Sequence, residues 1–239
     1  TRTAPYQNHT FTASGGDKVS KFYFSGNYNN TQGIIINSGL KRYQARLNYD
    51  RIFSKYINAG IRLNYSYINQ NVNKADVGSN SLWYRSTIFL SPTMPAYKED
   101  GSFNDWNTQW YSGTLFDSPL ANSSLQRKDQ LKKSLSTNVF VEIKPIKYLK
   151  VRSAVSFYDY NRFDDNFYPS TLPSRASKST GAYAYKSGFR NNNILNENTV
   201  NYTRTFNKKH NLDVLYGFTF QQLWQANLFA SGDGYFIDE

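Results

Sequence analysis

Apolar and polar residues alternate with a period of two along most of this chain. The segment YINAGIRLNYSYINQ, Tyr56 to Gln70, shows the pattern clearly. One row holds Ile57, Ala59, Ile61, Leu63, Tyr65 and Tyr67, and the other holds Asn58, Gly60, Arg62, Asn64 and Ser66. Because successive side chains of a strand point to opposite faces, the segment predicts a strand with one uncharged face and an arginine at the centre of the other.

The same period predicts eight strands and almost no helix. We place the strands near residues 8–14, 18–30, 40–52, 56–70, 133–144, 148–160, 191–206 and 209–228. The seventh is the weakest, with Ile194, Val200 and Tyr202 in one row and Glu197 and Asn201 in the other. The sequence therefore predicts an all-β protein.

Short and long connections alternate between these strands. GGDK, FSKY, PIKY and FNKK form four tight turns, whereas the other links are about nine residues after Thr31 and two long loops near 71–132 and 161–190. In an antiparallel up-and-down sheet, alternate connections lie at opposite ends. All short turns then share one rim, an asymmetry typical of outer-membrane barrels, whose long loops are extracellular.

A lipid bilayer explains the two faces. A transmembrane strand needs about ten tilted residues with an uncharged row toward lipid, and an arginine there near the midplane costs roughly 2–4 kcal/mol. Arg62 on the opposite row would instead face a hydrated lumen. Arg204 is the one charge in a mostly apolar row, close enough to a turn to reach the interface. A soluble sheet with one wet face is the alternative, but predicted strands of twelve or more residues favour a membrane barrel.

The composition limits the kinds of partner and site that the chain can be expected to have. Among 239 residues, 28 Lys and Arg against 17 Asp and Glu give a net charge of +11, but the cations are scattered and no basic stripe indicates nucleic acid. There is no cysteine, which excludes disulfides and thiolate metal sites. No run approaches the ~20 apolar residues of a membrane helix. The opening TRTAPYQNHT does not resemble a secretory signal, so we expect a removed signal or an internal piece.

Catalytic and metal chemistry have little support. The only two histidines, His9 and His210, adjoin tight turns in this interpretation, and no nucleophile elbow accompanies them, so we expect no enzyme and no cofactor. The acidic KEDGSFNDW, Lys98 to Trp106, could ligate calcium, but a solvated turn around Gly101 is favoured because the EF-hand order is missing.

Aromatic residues in the first long loop are candidate ligand contacts. Trp83, Trp106, Trp110 and Tyr111 stand among polar residues, and exposed rings can stack on sugars or hold peptide side chains. The same residues could pack a small core that a loop of this length needs.

Three segments carry a resemblance to a known family. QNHTFTASGGDKVSKFYFSGNYNNTQGIIINSGLKRYQARLNYD, Gln7 to Asp50, resembles the segment that opens the barrel of SusC/RagA-like TonB-dependent transporters. Its Ser-Gly-Gly, Gln-Gly, Arg-Tyr and Leu-Asn elements are Ser14, Gly15, Gly16, Gln32, Gly33, Arg42, Tyr43, Leu47 and Asn48. KHNLDVLYGFTFQ from Lys209 and DSPLA from Asp117 are also similar to family motifs.

The resemblance implies a segment of about eight strands from a 22-stranded transmembrane barrel, with residues 1–239 as a partial barrel domain. It implies an N-terminal plug, not present in this sequence, through which TonB acts, and a SusD-like surface lipoprotein as partner. The implied function is active import of oligosaccharide or peptide nutrients across the outer membrane of a Gram-negative bacterium.

Two other interpretations stay open. An autonomous eight-stranded outer-membrane barrel could have a structural or adhesive role, since eight strands permit closure around a lumen filled by side chains. An outer-membrane hydrolase would need acid, base and nucleophile together at the loop rim, whereas both histidines map to the opposite rim.

Overall fold

A computed structural model describes residues 2–71, 93, 95–104, 119–172, 175 and 181–235. These contain eight strands and one short helix, α1 (Pro119–Leu125). The strands are β1 (Tyr6–Gly16), β2 (Ser20–Gln32), β3 (Gly39–Ile52), β4 (Ile57–Asn71), β5 (Arg127–Ile146), β6 (Leu149–Tyr168), β7 (Ala182–Phe206) and β8 (His210–Tyr235). The predicted all-β class is confirmed.

The strands form one antiparallel sheet in chain order, from β1 to β8. Each strand pairs with the next, from Tyr6 opposite Thr31 in the first hairpin to Phe206 opposite His210 in the last, with register shifts between Ile143 and Ile146 and between Ala182 and Tyr183. Within the described residues, β1 and β8 each have one unpaired edge, so the sheet is open. This up-and-down order is the predicted architecture of a partial barrel.

The register sorts the side chains onto two faces of opposite character, because residues directly opposite each other share a face. The apolar face, over the half of the sheet near the tight turns, includes Phe22, Phe24, Leu47, Tyr49, Ile61, Leu63, Val139, Val141, Val155, Val200, Val214 and Phe218. The polar face includes Ser25, Arg46, Asn48, Asp50, Arg62, Asn64, Ser136, Asn138, Glu142, Arg152, Ser156 and Glu197. The alternation in the sequence is therefore also an alternation in space.

No described element covers the apolar face. Val139 is 44% exposed and Val155 46%, although both sit on central strands of the sheet, and Phe218 on the edge strand β8 is 59% exposed. The buried apolar residues of the described chain are few, namely Ala121, Ala154, Leu172 and Ala182. A soluble sheet would bury this face under a second layer, so the uncovered face favours lipid as its neighbour. No helix in the described residues is long and apolar enough to span a membrane.

The tight turns lie where the sequence predicts them and are held by local bonds. In the first, Asp17 Oδ1 accepts hydrogen bonds from the backbone N–H groups of Val19 at 2.8 Å and Ser20 at 2.6 Å. These bonds lower the pKa of Asp17, since they favour the charged carboxylate. In the last, Asn207 and Lys208 both have positive φ, 51° and 58°, as a two-residue hairpin turn with the twist of the strands requires.

At the opposite end, the strands run farther than the alternation predicts. β5 begins at Arg127 rather than near 133, β6 continues to Tyr168, and β7 begins at Ala182. Residues 161–168 and 182–190, assigned to a long loop from the sequence, are therefore strand, and the connection is 169–181. Phe163 and Phe167 accordingly lie on β6 rather than in a loop.

The helix α1 packs beside the β2–β3 connection. Its residues Ala121, Asn122 and Ser123 are buried. Asn37, in that connection, donates from Nδ2 to the carbonyl oxygen of Ser123 at 3.1 Å. The DSPLA motif therefore leads into a short helix directly before β5.

Candidate functional site

The most organised polar chemistry of the described chain lies on the polar face. Near the tight turns, Arg62 Nη2 donates to both carboxylate oxygens of Asp50 at 2.7 Å. Its Nη1 reaches the backbone oxygens of Ile61 at 3.1 Å and Tyr49 at 3.3 Å. The arginine at the centre of β4 is thus fully engaged, on the face away from the uncovered apolar side chains.

Phe140 links this ion pair to the next strands. The guanidinium of Arg62 lies 5.5 Å from the centre of the Phe140 ring, and that of Arg152 lies 4.2 Å from it. Both distances are in the range of cation–π attraction. The Phe140 ring on β5 therefore contacts one guanidinium from each neighbouring strand, β4 and β6.

Glu142 forms the second charged cluster. Its carboxylate lies 3.6 Å from Lys144 Nζ and 3.7 Å from Lys150 Nζ, and Arg152 is its partner across the sheet. The Glu142 side chain is only 14% exposed. A carboxylate this enclosed needs counter-charges, and three cations on two strands surround it.

Farther from the tight turns, hydrogen bonds between side chains cross four strands in one line. Gln70 Nε2 donates to Gln130 Oε1 at 2.6 Å, and Gln130 Nε2 donates to Asp164 Oδ1. Ser187 Oγ donates to Asp164 Oδ2 at 2.9 Å. Arg162 Nε lies 3.0 Å from the same oxygen. This ladder links β4 to β7 close to the outer end of β4.

Shallow grooves adjoin these networks. One of about 310 Å³ is lined mainly by hydroxyl and amide side chains, including Ser25, Asn27, Gln44, Asn64, Ser66 and Ser134. Another of about 170 Å³ lies beside the ladder, with Lys128, Arg162, Asn166 and Tyr185 in its wall. Both can receive hydrogen-bonding groups of a ligand, and neither offers an apolar pocket.

Aromatic rings follow the apolar face at the level of the long connections. His9, Tyr28, Tyr43 and Tyr67 are register partners on four successive strands, with ring centres 6.3, 5.1 and 6.1 Å apart in turn. Such a row suits the membrane–water interface. At the other end, the guanidinium of Arg204 lies 5.0 Å from the Tyr148 ring and 4.8 Å from the Phe206 ring. Arg204 therefore ends among interfacial aromatics, as the sequence predicts.

Two polar residues interrupt the apolar face of β7. Asn198 Nδ2 donates to Asn196 Oδ1 at 2.6 Å, and Asn196 Nδ2 donates to the backbone oxygen of Ala154 at 3.1 Å. The pair satisfies much of its own hydrogen bonding, which reduces the cost of placing amides among apolar side chains.

The structure treats the candidate functional residues predicted from the sequence differently. Trp83, Trp106, Trp110 and Tyr111 lie outside the described residues, so their role as ligand contacts stays a prediction. His9 does not adjoin a tight turn as expected, because β1 carries it to the aromatic row beside Tyr28, while His210 opens β8 at the other edge of the sheet. No described element brings the two histidines together.

The acidic loop forms a turn around Gly101, which has φ of 82°. Ser102 donates from its backbone N–H at 2.8 Å and from Oγ at 2.6 Å to Asp100 Oδ1. These bonds lower the pKa of Asp100. In the described part of the chain, no three His, Cys, Asp or Glu residues cluster as metal ligands would.

Comparison with known proteins gives consistent results. No protein-family model matches the chain. It is 28% identical over 220 residues to TonB-dependent receptor P26 of Formosa agariphila, covering 92% of this chain and 21% of that protein. It is 29% identical over 213 residues to TonB-dependent receptor P39 of the same organism, covering 88% of the chain and 19% of the relative. The chain thus spans about a fifth of the length of the curated relatives it matches.

Solved structures agree on the fold. The RagAB peptide importer in its closed-closed state matches 97% of this chain with a TM-score of 0.76 at 20% identity, over 26% of its own chain. The open-open state of the same importer matches 98% of this chain with a TM-score of 0.75. The predicted resemblance to SusC/RagA-like TonB-dependent transporters is confirmed, and the described sheet has the fold of part of such a barrel.

Proposed function

We propose that this chain forms part of the wall and mouth of an energised importer in the outer membrane of a Gram-negative bacterium. The observation that carries the proposal is the division of one up-and-down sheet into an uncovered apolar face and a charged, hydrogen-bonded face. In a barrel, the first would contact lipid and the second would line the lumen. Similarity to TonB-dependent receptors over 92% of the chain supports the same conclusion.

The cargo is an oligosaccharide or a peptide, carried through the barrel without chemical conversion. Loops at the outer rim capture the ligand together with a SusD-like lipoprotein, and TonB supplies energy through a plug of the kind the resemblance implies. The wall described here supplies hydrogen-bonding groups along the route. The name of the RagAB peptide importer supports a peptide cargo for that protein, whereas the polar grooves of this chain suit hydroxyl-rich ligands equally.

The open edges of the sheet count against an autonomous eight-stranded barrel. Closure would pair β1 with β8, but in the described residues β8 pairs with β7 alone. Most of β8 is exposed on both faces. Further strands beside β8 would complete the wall of a wider barrel.

The test is uptake by cells that lack the gene for the full-length protein. Labelled oligosaccharide and peptide mixtures should enter wild-type cells, and the deletion should abolish entry of one of them. An uncoupler that removes the proton-motive force should have the same effect. A tagged protein should also copurify with a surface lipoprotein. Unchanged uptake in the deletion strain, or uptake that resists the uncoupler, would contradict the proposal.

A further inference from the structure

Three cations share one cross-strand line of the polar face. Arg42 on β3 is opposite Ile68, Ile68 is opposite Lys132 on β5, and Lys132 is opposite Arg162 on β6. Neighbouring strands are about 4.8 Å apart, so Arg42 lies roughly 10 Å from Lys132 at the level of the backbone. We call these three residues the cationic stripe.

The cationic stripe is poorly compensated within the protein. Two like charges directly opposite each other, as in Lys132 and Arg162, destabilise a sheet. Asp164 is the nearest carboxylate, and it already accepts hydrogen bonds from Gln130 and Ser187 as well as facing Arg162. Among the described residues, the side chains of Arg42 and Lys132 have no hydrogen bond or ion pair, and Arg42 Nε is shielded from solvent without an acceptor.

On the side toward the tight turns, the cationic stripe is flanked by hydroxyl and amide groups on β3 to β5 and by aromatic rings on β6. Gln44, Ser66 and Ser134 occupy the adjacent cross-strand line and line the 310 Å³ groove. On β6, the rings of Tyr158 and Tyr160 are parallel within 3°, with centres 6.5 Å apart, and precede Arg162 on the same face. Parallel rings beside polar groups form a ledge on which a sugar ring can stack.

We propose that the cationic stripe binds a carboxylate or sulfate group of an acidic oligosaccharide, whose sugar ring stacks on the Tyr158–Tyr160 ledge. An anion between Lys132 and Arg162 would relieve their repulsion, and Arg42 would add a third positive charge to the stripe roughly 10 Å away. A peptide is disfavoured because the adjoining groove offers hydroxyls and amides rather than apolar pockets. This inference rests on the proposed transport function and names the class of its cargo.

The experiment measures binding to the full-length transporter by titration calorimetry. The probes are a galacturonate oligomer, its neutral methyl ester and a glutamate oligopeptide of equal charge. Lys132→Gln and Arg42→Gln should each weaken galacturonate binding about two- to fivefold at low salt. Their effect on the neutral ester should be negligible. Tyr160→Ala should weaken the acid and the ester equally.

Two matched controls lie on the same strands. Lys133→Gln and Lys41→Gln remove the same charge from neighbouring positions whose side chains point to the other face. Both should leave galacturonate binding unchanged. Lys132→Gln should also raise thermal stability, because it removes a like charge opposite Arg162, whereas a structural role for Lys132 would lower stability.

The outcomes separate this inference from the transport proposal. Two results would overturn ligand binding by the cationic stripe without contradicting the transport proposal. One is equal effects of the substitutions on the two faces, and the other is no binding of any anionic probe by a transporter that still imports nutrients. Tighter binding of the glutamate oligopeptide than of the galacturonate oligomer would overturn the choice of a sugar. Loss of nutrient uptake is tested separately by the deletion strain.

Discussion

An arginine placed on the apolar face should be far more costly than one placed on the polar face. Val139 is the best position, since it lies opposite Ile61 and Val155 and seven residues from Ile146, where β5 ends. At about 3.3 Å per residue and a tilt near 45°, that is about 16 Å along the membrane normal. Val139 therefore lies close to the midplane of a hydrocarbon core about 30 Å thick.

Val139→Arg is expected to lower the free energy of unfolding by about 2–4 kcal/mol, which is about 30- to 700-fold in the folding equilibrium. The control is Ser136→Arg. Ser136 lies opposite Asn64 and Tyr158 on the polar face and lines the groove of about 310 Å³, where a guanidinium stays hydrated. Its effect should stay within about 0.5 kcal/mol, as for ordinary surface substitutions.

The assay is urea-dependent folding of the full-length protein into lipid vesicles, followed by the gel mobility shift of the folded barrel. The slope against urea should be unchanged, so that midpoints compare directly. Equal costs for the two variants would refute the assignment of faces. A cost near zero for Val139→Arg would place that residue in water.

Three further predictions test other features of the sheet. Gly60→Ala should destabilise by about 1–3 kcal/mol, because a Cβ there would overlap Asp50 Oδ1 and lie 2.6 Å from a ring carbon of Phe140. In the same folding assay, Gly26→Ala should stay near the intrinsic Gly-to-Ala effect, because its Cβ would meet nothing closer than 3.9 Å. Asp17→Asn should make the free energy of unfolding fall less steeply as the pH is lowered. The Asp17 carboxyl has a lowered pKa in the folded protein, so it stabilises the fold above its unfolded pKa and loses that contribution as the pH falls through the lower folded value. Folding midpoints that fall equally in both proteins between pH 6 and pH 3 would argue against this prediction. In a background without other cysteines, a water-soluble maleimide should modify Asn64→Cys in intact membranes and spare its neighbour Leu63→Cys, and faster labelling of the latter would reverse the faces.

The hairpins near the tight turns could be predicted from sequence because, in the proposed transporter, lipid contacts one face and water the other. Where lipid meets one face and water the other, residues such as Leu63 and Asn64 must alternate, and the period of two becomes visible. Once the FSKY turn fixes the register, the proximity of Arg62 and Asp50 also follows. The existence of all eight strands could therefore be predicted from the sequence.

The outer parts of β5 to β8 could not be predicted by the same signal. Beyond the part that would span the membrane in the proposed transporter, water would contact both faces, and charges occur in consecutive positions, as in Asp164 and Asp165 on β6. The alternation disappears although the backbone ladder continues. The ladder from Gln70 to Ser187 depends on a register set across three hairpins, which sequence alone does not supply. Its only local hint is the density of amide and acidic residues beyond each predicted strand.

The length of the last two strands has a consequence for the cell surface. β7 has 25 residues and β8 has 26, whereas about ten suffice to cross a bilayer. More than half of each strand would then extend beyond the lipid as hydrogen-bonded sheet. In the proposed transporter, antibodies and bacteriophages that pass the outer loops would meet hydrogen-bonded sheet above the lipid.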